Sequence, residues 1–421
     1  VSVPRFLELA RLEEATQLLE VFTAFDIESV DARTAEGRVL AETVTATADV
    51  PNSTRSSMDG YALRAADTAG ANEQNAAVLK LAGQVETGHA PTTELEAGSA
   101  LRISTGGVLP AGADSVVMVE YTDTDGGTGG DSGTATRVFV RKQVQVGACL
   151  VPTGEDMRRG DLLMQPGRRL RASDTGVLTG TGHETVRVFR LPVAGVLATG
   201  DEIVEPGTEL GPGQVYNANQ YSLAALLRRR GITPAVSMVV PDEAERFTRE
   251  LSLAIEKCDA VFVSGGSSKG TRDLTLATIK NLGGKVLLHG LAIAPGKPTI
   301  IARVGNCAVL GVPGNPAAAV VVFALLGASL LRHLEGEPLD RIRATMPLLR
   351  ARLGADVKGS SGREDWLRVR LEAGEDLPTA QPVPGRSLSL SSLARADGLA
   401  RIDLHRDSAT AGETVEVLLL D

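Results

Sequence analysis

Seven residues at turn-like positions carry groups suited to phosphate and metal chemistry: Asp59, Thr105, Asp156, Asp201, Glu202, Asp273 and Asn315. Acids in Gly-rich loops at strand ends can hold Mg2+, which takes oxygen ligands and bridges to substrate phosphates. Beside them stand three turns dense in Gly, Pro or Ser. Ser264-Gly265-Gly266-Ser267-Ser268-Lys269-Gly270, Pro295-Gly296-Lys297-Pro298 and Pro313-Gly314-Asn315-Pro316 each follow a short apolar run. Glycine lets backbone N–H groups approach an anion, and a following helix N-terminus adds a favourable dipole. Lys269 and Lys297 add positive charge. One such cluster alone reads as a turn, and an isolated loop Asp is usually a turn former or helix cap. Three clusters in succession, two with a lysine, favour a phosphate site. Local chemistry thus points to a phosphate- and Mg2+-binding α/β protein and names no reaction.

These turns need strands to position them. The runs 260–263, 291–294 and 308–312 read as buried parallel strands with their C-terminal loops on one edge. That edge of an open α/β sheet is where ligands bind. A strand at 193–198, a helix at 220–230, a strand at 235–240 and a helix at 242–257 precede them. This alternation gives a parallel sheet with helices on both faces. The apolar run 317–331 has 15 residues, short of the ~20 that span a membrane, so it reads as a buried helix. Residues 4–22 have apolar positions near helical spacing and predict an amphipathic helix that packs on another surface, such as a second subunit. A second helix is expected over 31–44. The irregular stretch 51–57 delivers Met58-Asp59-Gly60-Tyr61-Ala62. Strands are expected at 77–82, 100–103, 115–119 and 137–140, with a solvated hairpin tip over 122–136. A helix follows at 172–180. Strands at 344–353, 365–371 and 414–420 close the chain as a small β domain.

Composition narrows the function. A net charge of −9 with only 3% aromatic residues argues against a nucleic-acid surface and against base-stacking platforms. Three cysteines without metal spacing read as small buried thiols in a reducing compartment. Five scattered histidines predict no zinc site. The charged stretch 1–22 lacks an apolar leader core, so a cytoplasmic protein with no membrane partner is expected.

Taken in order, further blocks join these turns: Gly37-Arg38-Val39-Leu40-Ala41-Glu42, Ser57-Met58-Asp59-Gly60-Tyr61-Ala62, Arg102-Ile103-Ser104-Thr105-Gly106, the run 110–120, Gly154-Glu155-Asp156, Thr199-Gly200-Asp201-Glu202 and Ser391-Ser392-Leu393-Ala394. In order and spacing the chain resembles the molybdopterin molybdenumtransferase family, the MoeA and gephyrin E-domain proteins. The resemblance implies an α/β multidomain protein. A split helical domain I (1–46 and 147–185) would flank a β insertion, domain II (47–146). Domain III (186–335) would be the Rossmann-like molybdopterin-binding α/β domain, and domain IV (336–421) a β-barrel.

The implied activity is insertion of molybdate into adenylylated molybdopterin with Mg2+, releasing AMP and molybdenum cofactor. The implied assembly is a homodimer, with the site between domain III of one subunit and domains I and II of the other. The molybdopterin adenylyltransferase is the implied partner enzyme. Carried over residue by residue, the catalytic set is Asp59, Thr105, Asp156, Glu202 and Asp273. Asp59, Glu202 and Asp273 would hold the metal. Gly265, Gly266, Ser267, Lys269, Lys297, Pro313, Gly314, Asn315, Arg363, Arg368 and Ser391 would bind substrate, and Arg386 is a further cation for the anion. Tungstate in place of molybdate and a non-catalytic pterin-binding scaffold are the alternatives. The chain departs from the family pattern at Ala294, where a lysine is usual, and at Ala318, where a serine is frequent. Lys269 is expected to restore the charge missing at Ala294.

Overall fold

The computed structural model describes residues 9–23, 26–86, 88–92, 94–126, 135–265, 271–360 and 362–420, with the side chains of 271–273 excluded. The α/β unit is organised by a six-stranded sheet in the order Val236–Val240, Ala194–Thr199, Ala260–Gly265, Cys307–Val312, Ile300–Val304, Lys285–His289. The first four strands are parallel and the last two antiparallel. Ala194–Thr199 and Cys307–Val312 are buried along their whole length, as strands covered on both faces must be. Side chains alternate across a strand, so successive residues feed two cores. Val196, Phe262 and Leu310 face the helices Asn219–Arg229 and Pro316–Leu334. Leu197, Val261, Val263 and Val309 face Phe247 and Leu251 of Ala244–Lys257 and Ile279 of Thr271–Asn281. Pro316–Leu334 is apolar and long enough by composition to cross a membrane, and 72% of its apolar window is buried inside the protein.

The expected strand at 291–294 is not part of this sheet. Ile293–Ala294 instead runs parallel to Glu364–Glu372 of the C-terminal unit. Pro295 and Pro298 remove the donors that a central strand needs. The places in the sheet go to Lys285–His289 and Ile300–Val304, which make it mixed rather than parallel.

The N-terminal expectations also change. The helix of the described part is Leu12–Gln17, continued by a 3-10 turn at Leu18–Val21. Its apolar face (Ala15, Leu19, Phe22) enters the α/β core of the same chain. No helix forms over 31–44. Asp31 Oδ1 accepts from the Arg33 N–H and closes a short 3-10 turn, Ala32–Thr34. Gly37 then turns at φ +78°. The flanking segments expected as helical are mainly two-stranded ladders, Ile27–Asp31 with Thr185–Phe189 and Val44–Thr45 with Leu162–Met164. Ala172–Gly180 is helical, as its sequence predicts.

Between these ladders lies a second six-stranded sheet, in the order Ser115–Met118, Gly60–Leu63, Ser99–Ile103, Ala77–Gln84, Arg137–Val140, Thr122–Thr124. The hairpin tip expected at 122–136 lies partly outside the described residues. In the C-terminal unit Glu364–Glu372, Thr379–Pro382, Leu348–Leu353, Thr414–Leu419 and Gly398–Ile402 pair in a ring, because Gly398–Ile402 returns to Glu364–Glu372. This closed five-strand barrel completes a multidomain α/β fold.

A buried ionic cluster joins the ladder region to the α/β unit. Arg169 Nη2 bonds Glu335, and Glu337 Oε2 lies 3.1 Å from the same nitrogen. Arg332 pairs with Glu337, and Arg230 approaches Glu335 at 3.6 Å. Burial raises the Glu337 pKa, but the bonds and charges of Arg332 and Arg169 outweigh it and hold the group ionised. Glu337 is 2% exposed, and its removal takes the carboxylate from Arg332 while Arg169 keeps Glu335. Glu337→Ala is therefore expected to cost about 3–5 kcal/mol in urea unfolding. A loss below about 1 kcal/mol would show that the cluster does not hold the two units together.

Candidate active site

One half of the site is built at an antiparallel ladder. Gly60 pairs with Ile103, which places Asp59, just before one strand, beside the turn that follows the other. The Thr105 backbone N–H and hydroxyl both donate to Asp59 Oδ1, at 2.7 and 3.0 Å. These two bonds hold the Asp59 pKa below the usual carboxylate range, against an opposing burial effect and with help from Arg102. Gly60 must be glycine here, since a Cβ would lie 1.9 Å from the Val117 carbonyl oxygen. Two residues picked from sequence are thus one unit, an exposed carboxylate kept ionised by a neighbouring threonine. The Asp156 turn packs on the lead-in to this unit: its N–H donates to Val50 O at 3.0 Å. Leu150–Val151 also pairs with Arg55–Ser56.

The other half is the C-terminal edge of the parallel strands. Gly265 approaches Thr199 so closely that a Cβ would lie 2.3 Å from its hydroxyl oxygen. Glu202 folds back over Gly200, with Oε2 2.6 Å from where a Cβ would stand. Asp201 Oδ1 accepts from the Asp242 N–H at 3.0 Å. Burial raises the Asp242 pKa, and the charges of Asp201 and Glu202 add to this, against a bond from Thr199. Asp242 Oδ1 is buried without a hydrogen-bond partner. No three His, Cys, Asp or Glu side chains among the described residues form a metal-holding group. Asp273 lies in the helix Thr271–Asn281, and its side chain is outside the described set. Gly266, Ser267 and Lys269 also lie outside the described residues.

The Gly314 carbonyl and the Ser264 hydroxyl both accept from Asn219 Nδ2 at 2.7 Å. Pro313 O lies 3.5 Å from Ser264 Oγ. Asn315 Nδ2 reaches Ser387 Oγ of the barrel at 2.8 Å, and the Ala317 N–H donates to Ser387 O. The segment that carries Arg386 and Ser391 is thereby held against the turn at 313–316, and Arg368 reaches the same segment at Gly385. Arg386 and Ser391 are exposed, and Ser391 Oγ lies 3.2 Å from Ser389 Oγ. Arg368 is not a solvated strand-face charge: it is 7% exposed. Its Nη2 donates to Gly385 O, its Nε has no partner, and burial lowers its pKa. Arg363 is half-buried one strand-end away. Lys297 is exposed on its own turn, anchored where the Leu291 N–H donates to its carbonyl. Sequence reasoning missed Asn219, Asp242 and Ser387. Asn217-Ala218-Asn219 and Pro241-Asp242 both carry helix-start signals, which account for these residues locally.

Comparison with known proteins finds family matches along most of the chain. Residues 10–182 match the MoeA N-terminal region (domain I and II). Residues 195–333 match a probable molybdopterin binding domain, and 350–420 the MoeA C-terminal region (domain IV). A molybdopterin molybdenumtransferase of Nostoc sp. is 31% identical over 405 residues, covering 94% of this chain and 89% of the relative. The chain belongs to the molybdopterin molybdenumtransferase family. A Bacillus subtilis member is 32% identical over 91% of this chain and 87% of its own length. A solved MoeA protein from Pyrococcus horikoshii, 27% identical, superposes with a TM-score of 0.82 over 98% of this chain and all of its own.

The Asp59–Thr105 unit gives a direct test. A depressed carboxylate pKa contributes stability above the unfolded pKa, and that contribution is lost as pH falls through the folded value. Thr105→Val removes the hydroxyl donor and keeps the backbone one. The Asp59 carboxyl pKa, followed by 13C NMR, should therefore rise part of the way to the ordinary range. An unchanged titration would show that the hydroxyl does not stabilise the anion.

Proposed function

We propose that the chain inserts molybdate into adenylylated molybdopterin with Mg2+, releasing AMP and molybdenum cofactor. The observation that carries this reading is the Asp59 carboxylate held ionised by Thr105, in a chain that matches its relatives nearly end to end. Cleaving a phosphoanhydride is chiefly positioning and charge neutralisation. The backbone N–H groups of Gly265 and Gly314, with Lys297, suit the pterin phosphate, with Pro313 shaping the turn. Arg363, Arg368 and Arg386 suit the oxyanion, a dianion that wants fixed donors. Glu202, with Asp242 beside it, would orient the attacking water or the oxyanion. Mg2+, held by carboxylates drawn from Asp59, Glu202 and Asp273, would neutralise phosphate charge. A homodimer that brings the Asp59 unit of one subunit to the strand edge of the other completes this reading, with a cytoplasmic setting and the molybdopterin adenylyltransferase as supplier.

AMP release from adenylylated molybdopterin, with Mg2+ and with molybdate or tungstate in parallel, tests the proposal. Molybdate-dependent release is expected, and Asp59→Asn should reduce it by about 100-fold. Faster release at lower tungstate would reassign the oxyanion. Tight pterin binding without release under either anion would make the chain a scaffold.

A further inference from the structure

Asp59 depends on the turn at 104–107, and that turn contains a conformationally free joint. Gly106 stands at φ +80° with open space where a Cβ would be. A glycine there has little intrinsic preference, so its peptide needs an external lock. On one side the Gly106 N–H donates to Ser56 O at 2.8 Å, and the Ser56 N–H donates to Gly107 O at 2.9 Å. On the other side the Gly106 carbonyl accepts from Arg55 Nη1 at 3.1 Å. Arg55 Nη2 is itself tied to Asn52 Oδ1 at 3.0 Å, and its Nε is buried without a partner. Arg55 and Asp59 share no hydrogen bond or ion pair in the structure. A planar guanidinium held at two points is a rigid donor, and its bond to a carbonyl is charge-assisted.

We propose that Arg55 is a positioning residue for Asp59: by clamping the Gly106 carbonyl it holds Thr105 with both donors on the catalytic carboxylate. Lys at 55 can supply one of the two bonds but not the fork. The proposal rests on the reading of Asp59 as catalytic, and its test separates the two.

Arg55→Ala, Arg55→Lys, Asp59→Asn and the double variant Arg55→Ala/Asp59→Asn are compared in AMP release. Arg55→Ala should lower kcat by about 10- to 100-fold, since small misplacements of a reacting group cost this much, with KM within about 2-fold. Arg55→Lys should fall between it and the unmodified protein. In the Asp59→Asn background, Arg55→Ala should add less than about 2-fold, because residues acting as a unit are not additive. Full additivity, or an undiminished Arg55→Ala, overturns the proposal. Hydrogen-exchange mass spectrometry supplies a readout independent of activity. Exchange at 104–107 should rise in Arg55→Ala while Gly60–Leu63 stays protected. Equal loosening of both segments would make Arg55 a general structural residue and overturn it. If Asp59→Asn is fully active, the functional reading fails, and a selective exchange change at 104–107 still upholds the clamp.

Discussion

Burying the helix Pro316–Leu334 against one face of the mixed sheet is the constraint on which the other parts depend. Its start is fixed by the end of Cys307–Val312, so the turn between them must lie on the strand edge. Its apolar side is too large for the sheet alone to cover. The same core takes in Ala15, Leu19 and Phe22 from the N-terminal segment and Trp366, Leu399 and Leu418 from the barrel. One hydrophobic core therefore spans units that would otherwise be separate bodies. The helix adapts to this through a π segment at Phe323–Gly327. There Phe323 meets Phe262 of the sheet with ring centroids 5.2 Å apart. Gly327 leaves room for that pair, since a Cβ would lie 2.8 Å from Phe323.

The charges follow a division of labour. The carboxylates Asp201, Glu202 and Asp242 belong to the ends of the sheet strands, and Asp59 to the insertion. Arg363, Arg368 and Arg386 come from the barrel. In a chain with net charge −9, an anion needs a basic region set apart from the acids. Arg368 is the costly member. It is buried with a carbonyl partner and no carboxylate ion pair among the described residues, and desolvation lowers its pKa.

Much of this was legible in the sequence where local rules and tertiary packing agree. The strands at the sheet centre and the helices Asn219–Arg229 and Ala244–Lys257 fall within a residue or two of their expected bounds, because buried parallel strands are continuous apolar runs, whereas the helix Thr271–Asn281 was not expected. Asp59 and Thr105 were legible as chemistry but not as a pair, since 46 positions separate them and only strand register brings them together. Two expectations failed for identifiable reasons. Residues 31–44 have helix-like composition but contain Gly37 and an Asp31 turn. Ile293–Ala294 looks like a sheet strand locally, and its pairing with the barrel is a nonlocal fact that no short pattern encodes. Asn219 was hidden for the same reason: its role lies in two turns far along the chain.

The path of that last strand has a mechanical consequence. The turn bearing Lys297 is fastened to the barrel through Ile293–Ala294 at one end and to the α/β sheet through Ile300–Val304 at the other. It behaves as a beam resting on two supports. A tilt of the barrel against the sheet cannot leave the beam level, so the backbone at Lys297 follows the angle between the two units. The lysine's attachment point is shared by both.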